Sequence, residues 1–461
     1  MKIPMNEENQ LAAGLAELKK DALVEFIASL YGEFDTRIDQ RIERLLLSED
    51  SEALVDLSRQ QIENLKRGRT FYDYYETDAF GDEIQQLLAE IEHHILPNSP
   101  ERALALLDAL LDTAANSLER CDDSDGYVGG LYQQACLLWL QAAKRCPAPS
   151  GGWLERVKDM AENNDYAVFD PLLPNAHLLL SQEELRQLAF FYETGLRKTL
   201  AQHANDSRYL SWKVNLQGVA EALKDTELYR RSIVLVSPQP NQMQLDSLAR
   251  FYMLCDDYKG ALQWLTEPWP TTGWRDSNCE RLTLLAQCYE ALNQPQQQRD
   301  ALRARLELSP TYENLQSLLP LVAKDEAERL RQMAIDLAMQ KDSAAKLELL
   351  LKLEEFDLAQ QSAVADREEL AQCHYMTLSH LLGITPANSV LLRVVLQRCL
   401  LDDILNRGKS QAYRYAADYL KALRKLDEQK PEYDPLISHL LYEQQLRQQH
   451  GRKRSFWPLV G

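Results

Sequence analysis

At 461 residues with 45% apolar content, the chain carries enough material for an extensive core and for more than one packed lobe. Its formal net charge of -19, from 51 Lys and Arg against 70 Asp and Glu, opposes a large nucleic-acid footprint, because backbone binding relies on cations that neutralise phosphates. No apolar run is long enough for a membrane-spanning helix and the opening MKIPMNEENQ lacks the apolar stretch of a signal peptide, so no membrane contact and a cytoplasmic location are expected.

Only 17 Gly and 18 Pro interrupt the chain and no alternating strand pattern recurs, which makes an all-α fold the economical reading. Residues 9 to 47 read as two helices around Tyr31-Gly32, with apolar stripes Leu23, Phe26, Ile27, Leu30 and then Ile38, Ile42, Leu45, Leu46. A helix over 52 to 66 follows and stops at Lys66-Arg67-Gly68, where cations and a glycine suit a C-terminus. Ser99-Pro100-Glu101 opens the next one, serine as cap and proline in the first turn, with Ala103, Leu106, Leu107, Leu110 and Ala114 at helical spacing. The acidic loop Asp122-Asp123-Ser124-Asp125-Gly126 ends it, and a buried helix over 131 to 144 comes after.

Pro147-Ala148-Pro149-Ser150-Gly151-Gly152 is the strongest break, since prolines and paired glycines cannot continue a helix. It divides an N-terminal lobe, 1–146, from a middle segment, 147–236, in which 153 to 163, 182 to 204 and 215 to 231 read as helices. Ser237-Pro238-Gln239-Pro240 breaks the chain again and opens a repeat region over 237–461.

Directly beyond that break a helical hairpin is written twice. Ala249, Tyr252, Ala261 and Leu265 fall where a tetratricopeptide hairpin places its small, aromatic, small and large residues; Ala286 and Tyr289 repeat the spacing, and Pro310 closes the unit. Two helices approach closely only where a small residue faces the partner, and such a hairpin buries its apolar face only by stacking on neighbours. The predicted fold is therefore an α-solenoid of irregular TPR-like hairpins, the second copy carrying Gln298 where the first has Ala261.

Further helices run through 324 to 366. Residues 388 to 405 are apolar on almost every side, which predicts an interior helix; 411 to 429 is amphipathic, and Asp434-Pro435 is placed to cap a last helix. That helix leads to the basic segment Arg452-Lys453-Arg454 and the aromatic ending Phe456-Trp457.

Four stretches together carry a family resemblance: Leu65-Lys66-Arg67-Gly68-Arg69 with Tyr72-Asp73-Tyr74, the 122–126 loop, Asp165-Tyr166-Ala167-Val168-Phe169-Asp170, and Ala412-Tyr413-Arg414-Tyr415-Ala416-Ala417 with Arg452-Lys453-Arg454-Ser455-Phe456. In their order the chain resembles a bacterial α-helical repeat family of uncharacterised function related to SWIM zinc-finger proteins. The resemblance implies the helical scaffold but not the zinc site. A SWIM finger supplies Cys-x-Cys and then Cys-x-His, whereas here Cys373-His374 is adjacent and no cysteines stand one residue apart.

Candidate chemistry is sparse. In the acidic loop Asp123, Asp125 and Gly126 match the third, fifth and sixth positions of an EF-hand, but Cys121 and Tyr132 hold the first and twelfth, so a turn capping the next helix is the preferred reading. His93-His94 reads as a solvated helix end, and the eight cysteines, with no Cys-x-x-Cys, as reduced buried thiols. No phosphate-binding glycine loop, His-Glu-x-x-His or Gly-x-Ser-x-Gly occurs. The chain is accordingly expected to be no enzyme and to need neither cofactor nor metal.

The functional expectation is a non-catalytic scaffold or adaptor whose stacked hairpins hold a protein or peptide. Candidate partner-binding residues are Trp264, Trp269 and Trp274, at a groove rim or packed between hairpins, and Arg452, Lys453 and Arg454 in the tail. The alternative is a nucleic-acid-associated factor acting through that basic tail or a DNA-binding partner, against which the tail reads as docked on the acidic body by Phe456 and Trp457.

Overall fold

The computed structural model describes residues 20–30, 51–202, 208–270, 277–429 and 431–461. Among them every regular element is helical, and the β-type contact is an isolated parallel bridge between Tyr72 and Cys121. The expected helix around Ile38 to Leu46 lies outside the described residues, and Phe26 of the preceding stripe is exposed. The chain divides into two compact units, 1–240 and 241–461.

The first unit contains α1 (Lys20–Leu30), α2 (Ser51–Arg67), α3 (Thr77–Glu90), α4 (Pro100–Leu111), α5 (Ala114–Leu118), α6 (Tyr127–Ala143), α7 (Gly152–Glu162), α8 (Gln182–Gln202), α9 (Arg208–Leu223) and α10 (Thr226–Val234). At its centre α6 buries Val128, Leu131, Tyr132, Cys136 and Trp139, packing on α3 and α4. A fully buried Tyr132 is tolerated because its hydroxyl is shared with Thr113 Oγ1 at 2.7 Å and Ser117 Oγ at 2.8 Å. Ser99 stands at the N-cap of α4, but its side chain makes no capping hydrogen bond there; Pro100 supplies the start. His93 and His94 are exposed on a π-helical turn, Ile91–Ile95, that ends α3.

The break at 147–152 turns the chain inside this unit. Gly151 and Gly152 take φ of +101° and +82°, and Trp153 then returns edge-on to Trp139 with ring centroids 5.7 Å apart. The helix expected over 215 to 231 is two helices. Lys224 adopts φ +52° and the Asp225 carboxylate accepts from Leu228 N–H at 2.9 Å, so a new N-terminus competes with continuation of the old helix. Where α8 meets α9, a Cβ at Gly195 would lie 2.6 Å from the Trp212 ring, so this approach exists only because position 195 has no side chain.

The second unit contains α11 (Gln242–Leu254), α12 (Tyr258–Leu265), α13 (Asn278–Ala291), α14 (Pro295–Leu308), α15 (Tyr312–Leu318), α16 (Lys324–Ala338), α17 (Ser343–Lys352), α18 (Phe356–Ala365), α19 (Arg367–Leu370), α20 (Tyr375–Ile384), α21 (Val390–Asn406), α22 (Tyr413–Asp427), α23 (His439–His450) and α24 (Trp457–Val460). Most neighbours in sequence pack on each other as hairpins, α11 with α12 and α13 with α14 among the most extensive. Their starts are written locally: Asn241 and Gln244 form a capping box, and Asp257, Thr311 and Asp342 each accept a first-turn N–H.

The repeat signature packs as its spacing predicts. Ala249, Ala261 and Leu265 are fully buried, and Tyr252 fills the gap beside them. Gly260 allows this, since a Cβ there would fall inside contact distance of both the Tyr252 ring and the Asp257 carboxylate. The helix α21 is buried on nearly every side, from Leu392 through Leu405. The cap of α23 is Ser438, whose hydroxyl accepts from Leu441 N–H at 3.4 Å; Asp434-Pro435, expected as that cap, lies in the preceding strap.

Replacing Gly260 by alanine forces the Tyr252 ring and the capping carboxylate apart, so urea unfolding followed by circular dichroism should show a loss of about 1–3 kcal/mol. Gly130 lies inside α6 with no atom within 4 Å of a built Cβ. Gly130→Ala should instead raise stability, by about 0.5–1 kcal/mol, through helix propensity alone.

Candidate functional site

The segment after α7 closes on itself. Asn164 holds it from inside, its Oδ1 accepting from Phe169 N–H at 2.9 Å and its Nδ2 donating to Asp170 Oδ1 at 2.7 Å. Val168 is buried beneath the loop. Ala167 takes φ +59°, a left-handed conformation costing an alanine about 1–2 kcal/mol, and its carbonyl accepts from Gln133 Nε2 on α6 at 3.0 Å. Tyr166 reaches outward and donates to Glu119 Oε1 at 2.7 Å.

Concavities open on both sides of this loop. One, of about 250 Å³, surrounds the ion pair of Arg156 with Asp108 at 2.8 Å; the same Asp108 oxygen accepts from Trp139 Nε1 at 2.8 Å. The larger is a groove of about 510 Å³ between the loop and α9. It continues along Asn164, Asp170 and Val214 into a hollow of about 270 Å³ that reaches Gly218.

The groove pairs apolar side chains with carboxylates. Leu210 and Val214 project one turn apart on α9, 49% and 50% exposed, while Glu162, Asp165 and Asp170 stand exposed across from them. Among the described residues Arg208 is the single cation of the lining. Trp212 forms the floor, packed edge-on to Phe191 at 5.4 Å and seated against Gly195. Lining groups at this density suit a bound segment with apolar side chains and positive charge.

Three of the four family-bearing stretches converge around residues 116–126. Tyr72 N–H donates to Arg120 O at 2.8 Å and Asp122 N–H to Tyr72 O at 3.0 Å, while Tyr74 hydroxyl donates to Asp125 Oδ2 at 2.9 Å. The contact of Tyr166 with Glu119 brings the third stretch to the same place. Asp123 is spent as a cap: its two oxygens accept from Val128 N–H and Gly129 N–H, both at 2.8 Å, at the positive end of α6. Arg120 lies buried beneath, donating to the carbonyls of Asn116, Leu65 and Thr70 at 3.2–3.4 Å and facing the Phe80 ring.

The tryptophans stand elsewhere. Trp269 is 3% exposed, its Nε1 donating to Trp264 O at 2.7 Å and its backbone held by Asn278, so it packs the α12–α13 connection and has no face on a rim. Trp264 is half-buried and meets Tyr252 edge-on at 6.3 Å, and Trp274 lies outside the described residues. Alanine at Trp269 would therefore report on folding rather than on partner capture. In the tail, Phe456 is fully buried against Tyr413, and Trp457 donates to His450 O at 2.9 Å under the Arg447 guanidinium. Arg452 and Arg454 remain exposed, and Lys453 lies over the Tyr413 ring.

Leu210, Val214 and Trp212 were not legible as a site. On α9 apolar residues fall on every side with no clear stripe, so nothing in the pattern separates those that the groove exposes from those that the core takes. The Asp165–Asp170 stretch was visible in the sequence, but not what it faces.

Asn164→Ala removes both bonds across the loop. The expected cost is about 1–3 kcal/mol in denaturant unfolding, with faster hydrogen exchange confined to residues 165–170.

Comparison with known proteins gives the chain a family. No curated protein matches it. A solved structure titled "Circular tandem repeat protein with novel repeat topology and enhanced subunit contact surfaces" aligns over 92% of this chain and 93% of that one at 13% identity, but its TM-score of 0.13 carries no argument. A family model described as a family of unknown function, DUF6880, matches residues 6–459, nearly the whole chain. The helical units, and the loop and groove they hold in place, are thus those of a protein that belongs to the DUF6880 family.

Proposed function

We propose that this protein is a non-catalytic interaction scaffold and that the groove between the 163–170 loop and α9 receives a short cationic, apolar segment of a partner protein. The observation that carries this is the lining itself: Leu210 and Val214 exposed at helical spacing, opposite three carboxylates and, among the described residues, a single arginine. Apolar anchors supply affinity, and the carboxylates select a positively charged partner and reject an anionic one. A helical-repeat fold commonly presents such surfaces to peptides.

Several features support a binding role over a catalytic one. Among the described residues the groove lining holds no histidine or cysteine. Burial pushes the Cys136 and Cys399 thiols up to about 12 and the Cys288 thiol up to about 11, which keeps them protonated and unreactive. No helix among the described residues is long and apolar enough to cross a membrane. The resemblance to SWIM zinc-finger proteins adds to this proposal no more than the expectation of a helical scaffold.

A fluorescent twelve-residue peptide alternating Arg with Leu should bind the full chain, with affinity that falls as salt rises, whereas its Glu-for-Arg counterpart should not. Leu210→Ser with Val214→Ser, both at exposed positions, should weaken binding about tenfold or more while leaving the helical signal intact. Binding that is unchanged in this double variant, or equal for the two peptides, would refute the groove. Salt-sensitive binding of single-stranded DNA or RNA, lost when Arg452, Lys453 and Arg454 are neutralised, would favour the nucleic-acid reading instead.

A further inference from the structure

The second unit holds a second, independent feature. Arg398 on α21 is 8% exposed, and its guanidinium is clamped by two aromatic rings, Tyr442 of α23 at 4.4 Å and Tyr433 of the strap before α23 at 5.4 Å. Nη1 donates to Ile437 O of the same strap at 3.0 Å, which fixes the rotation of the plane. The opposite edge, formed by Nε and Nη2, is buried and finds no hydrogen-bond partner. Among the described residues Arg398 makes no ion pair.

A buried guanidinium edge without acceptors is costly, and a native fold that keeps one calls for an explanation. The neighbouring carboxylates do not supply it. Asp402, one turn further along α21, accepts from the Tyr442 hydroxyl at 2.7 Å, and Asp427 accepts from the Tyr433 hydroxyl at 2.9 Å. Each tyrosine thus gives its ring face to the arginine and its hydroxyl to a carboxylate. Burial pushes the Asp402 carboxyl up to about 6 despite the Tyr442 hydroxyl and the Arg398 charge.

His439, at the start of α23 and 5% exposed, adds to the cluster. Neither of its ring nitrogens makes a hydrogen bond, and Nε2 stands 3.6 Å from Glu443 Oε2. Glu443 is already held by Arg424 at 2.7 Å and Arg447 at 3.0 Å. Asp402 and Asp427 are thus engaged by tyrosine hydroxyls and Glu443 by two other arginines, and none of the three meets the free edge of Arg398.

We infer that the Nε and Nη2 edge of Arg398 is a receptor for the carboxylate group of a small organic acid, held between Tyr433 and Tyr442. The two parallel N–H groups match the two oxygens of a carboxylate, and the rings with the Ile437 carbonyl pre-orient them. A monoanion matches the single charge of Arg398, whereas a dianion such as phosphate would bring a second charge with no cation to meet it. The strap over residues 431–438 supplies two of these contacts, the Tyr433 ring and the Ile437 carbonyl.

The test uses the full chain and acetate labelled with carbon-13 at the carboxyl. Wild-type protein should broaden the acetate carboxyl resonance in a saturable way at constant ionic strength, and inorganic phosphate should compete poorly. Arg398→Lys keeps the charge but loses the edge, and should weaken binding about tenfold or more. Because that variant stands in the core, Tyr433→Leu on the half-buried strap is the companion, and should weaken binding about threefold or more by removing one clamp. No saturable broadening with folded wild-type protein, unchanged binding in either variant that keeps its helical signal, or tighter binding of phosphate than of acetate would each overturn the assignment.

Discussion

The structure depends on how closely two helices can approach, and at several contacts that distance is set by a glycine facing an aromatic ring. Gly195 admits Trp212, Gly260 admits Tyr252, and Gly81 admits Tyr127; in each case a methyl group would lie inside van der Waals contact of the ring. Such a pair contributes buried area on one side and proximity on the other, and neither residue achieves this alone. It also costs helix propensity, about 1 kcal/mol per glycine, which only the packing gained in the hairpin offsets. A hairpin built in this way leaves an apolar face that its neighbour in the stack must cover.

The groove follows from the same constraint. Trp212 is seated by Gly195 and braced by Phe191, so α9 is fixed in rotation, and that rotation turns Leu210 and Val214 outward. On the facing side the 163–170 loop is rigidified by Asn164 and by the backbone strain taken up at Ala167. Binding surfaces placed between a fixed helix and a cinched loop lose little conformational entropy when a partner arrives. The convergence of Tyr72, Tyr74 and Tyr166 on the 116–126 region ties the same loop back to α6, the core of the first unit.

Charge is used differently in the two units. The acidic excess of the chain is visible in the groove, where carboxylates stand exposed and solvated. Around Arg398 the charges are withdrawn from water and interlocked through tyrosines, so that a guanidinium edge is kept buried and oriented. The first arrangement suits a partner that arrives and leaves, and the second a small ligand enclosed by protein.

The sequence by itself determined the all-helical class, the repeated hairpin with Ala249, Tyr252, Ala261 and Leu265 inside, the interior position of α21 and the anchoring of the tail by Phe456, because periodicity, residue size and the placement of proline and glycine act locally. It also showed Asp165–Asp170 and the acidic loop as unusual stretches. Only the tertiary structure decided which apolar residues stay exposed: Trp269, conspicuous in the sequence, is buried, whereas Leu210 and Val214, inconspicuous on an evenly apolar helix, line the groove. The same holds for Arg398, whose ring partners come from 35 and 44 residues away and whose unpartnered buried edge no spacing rule encodes. Burial and unmet hydrogen bonds are properties of the whole packing, and one chain segment cannot reveal what another segment covers.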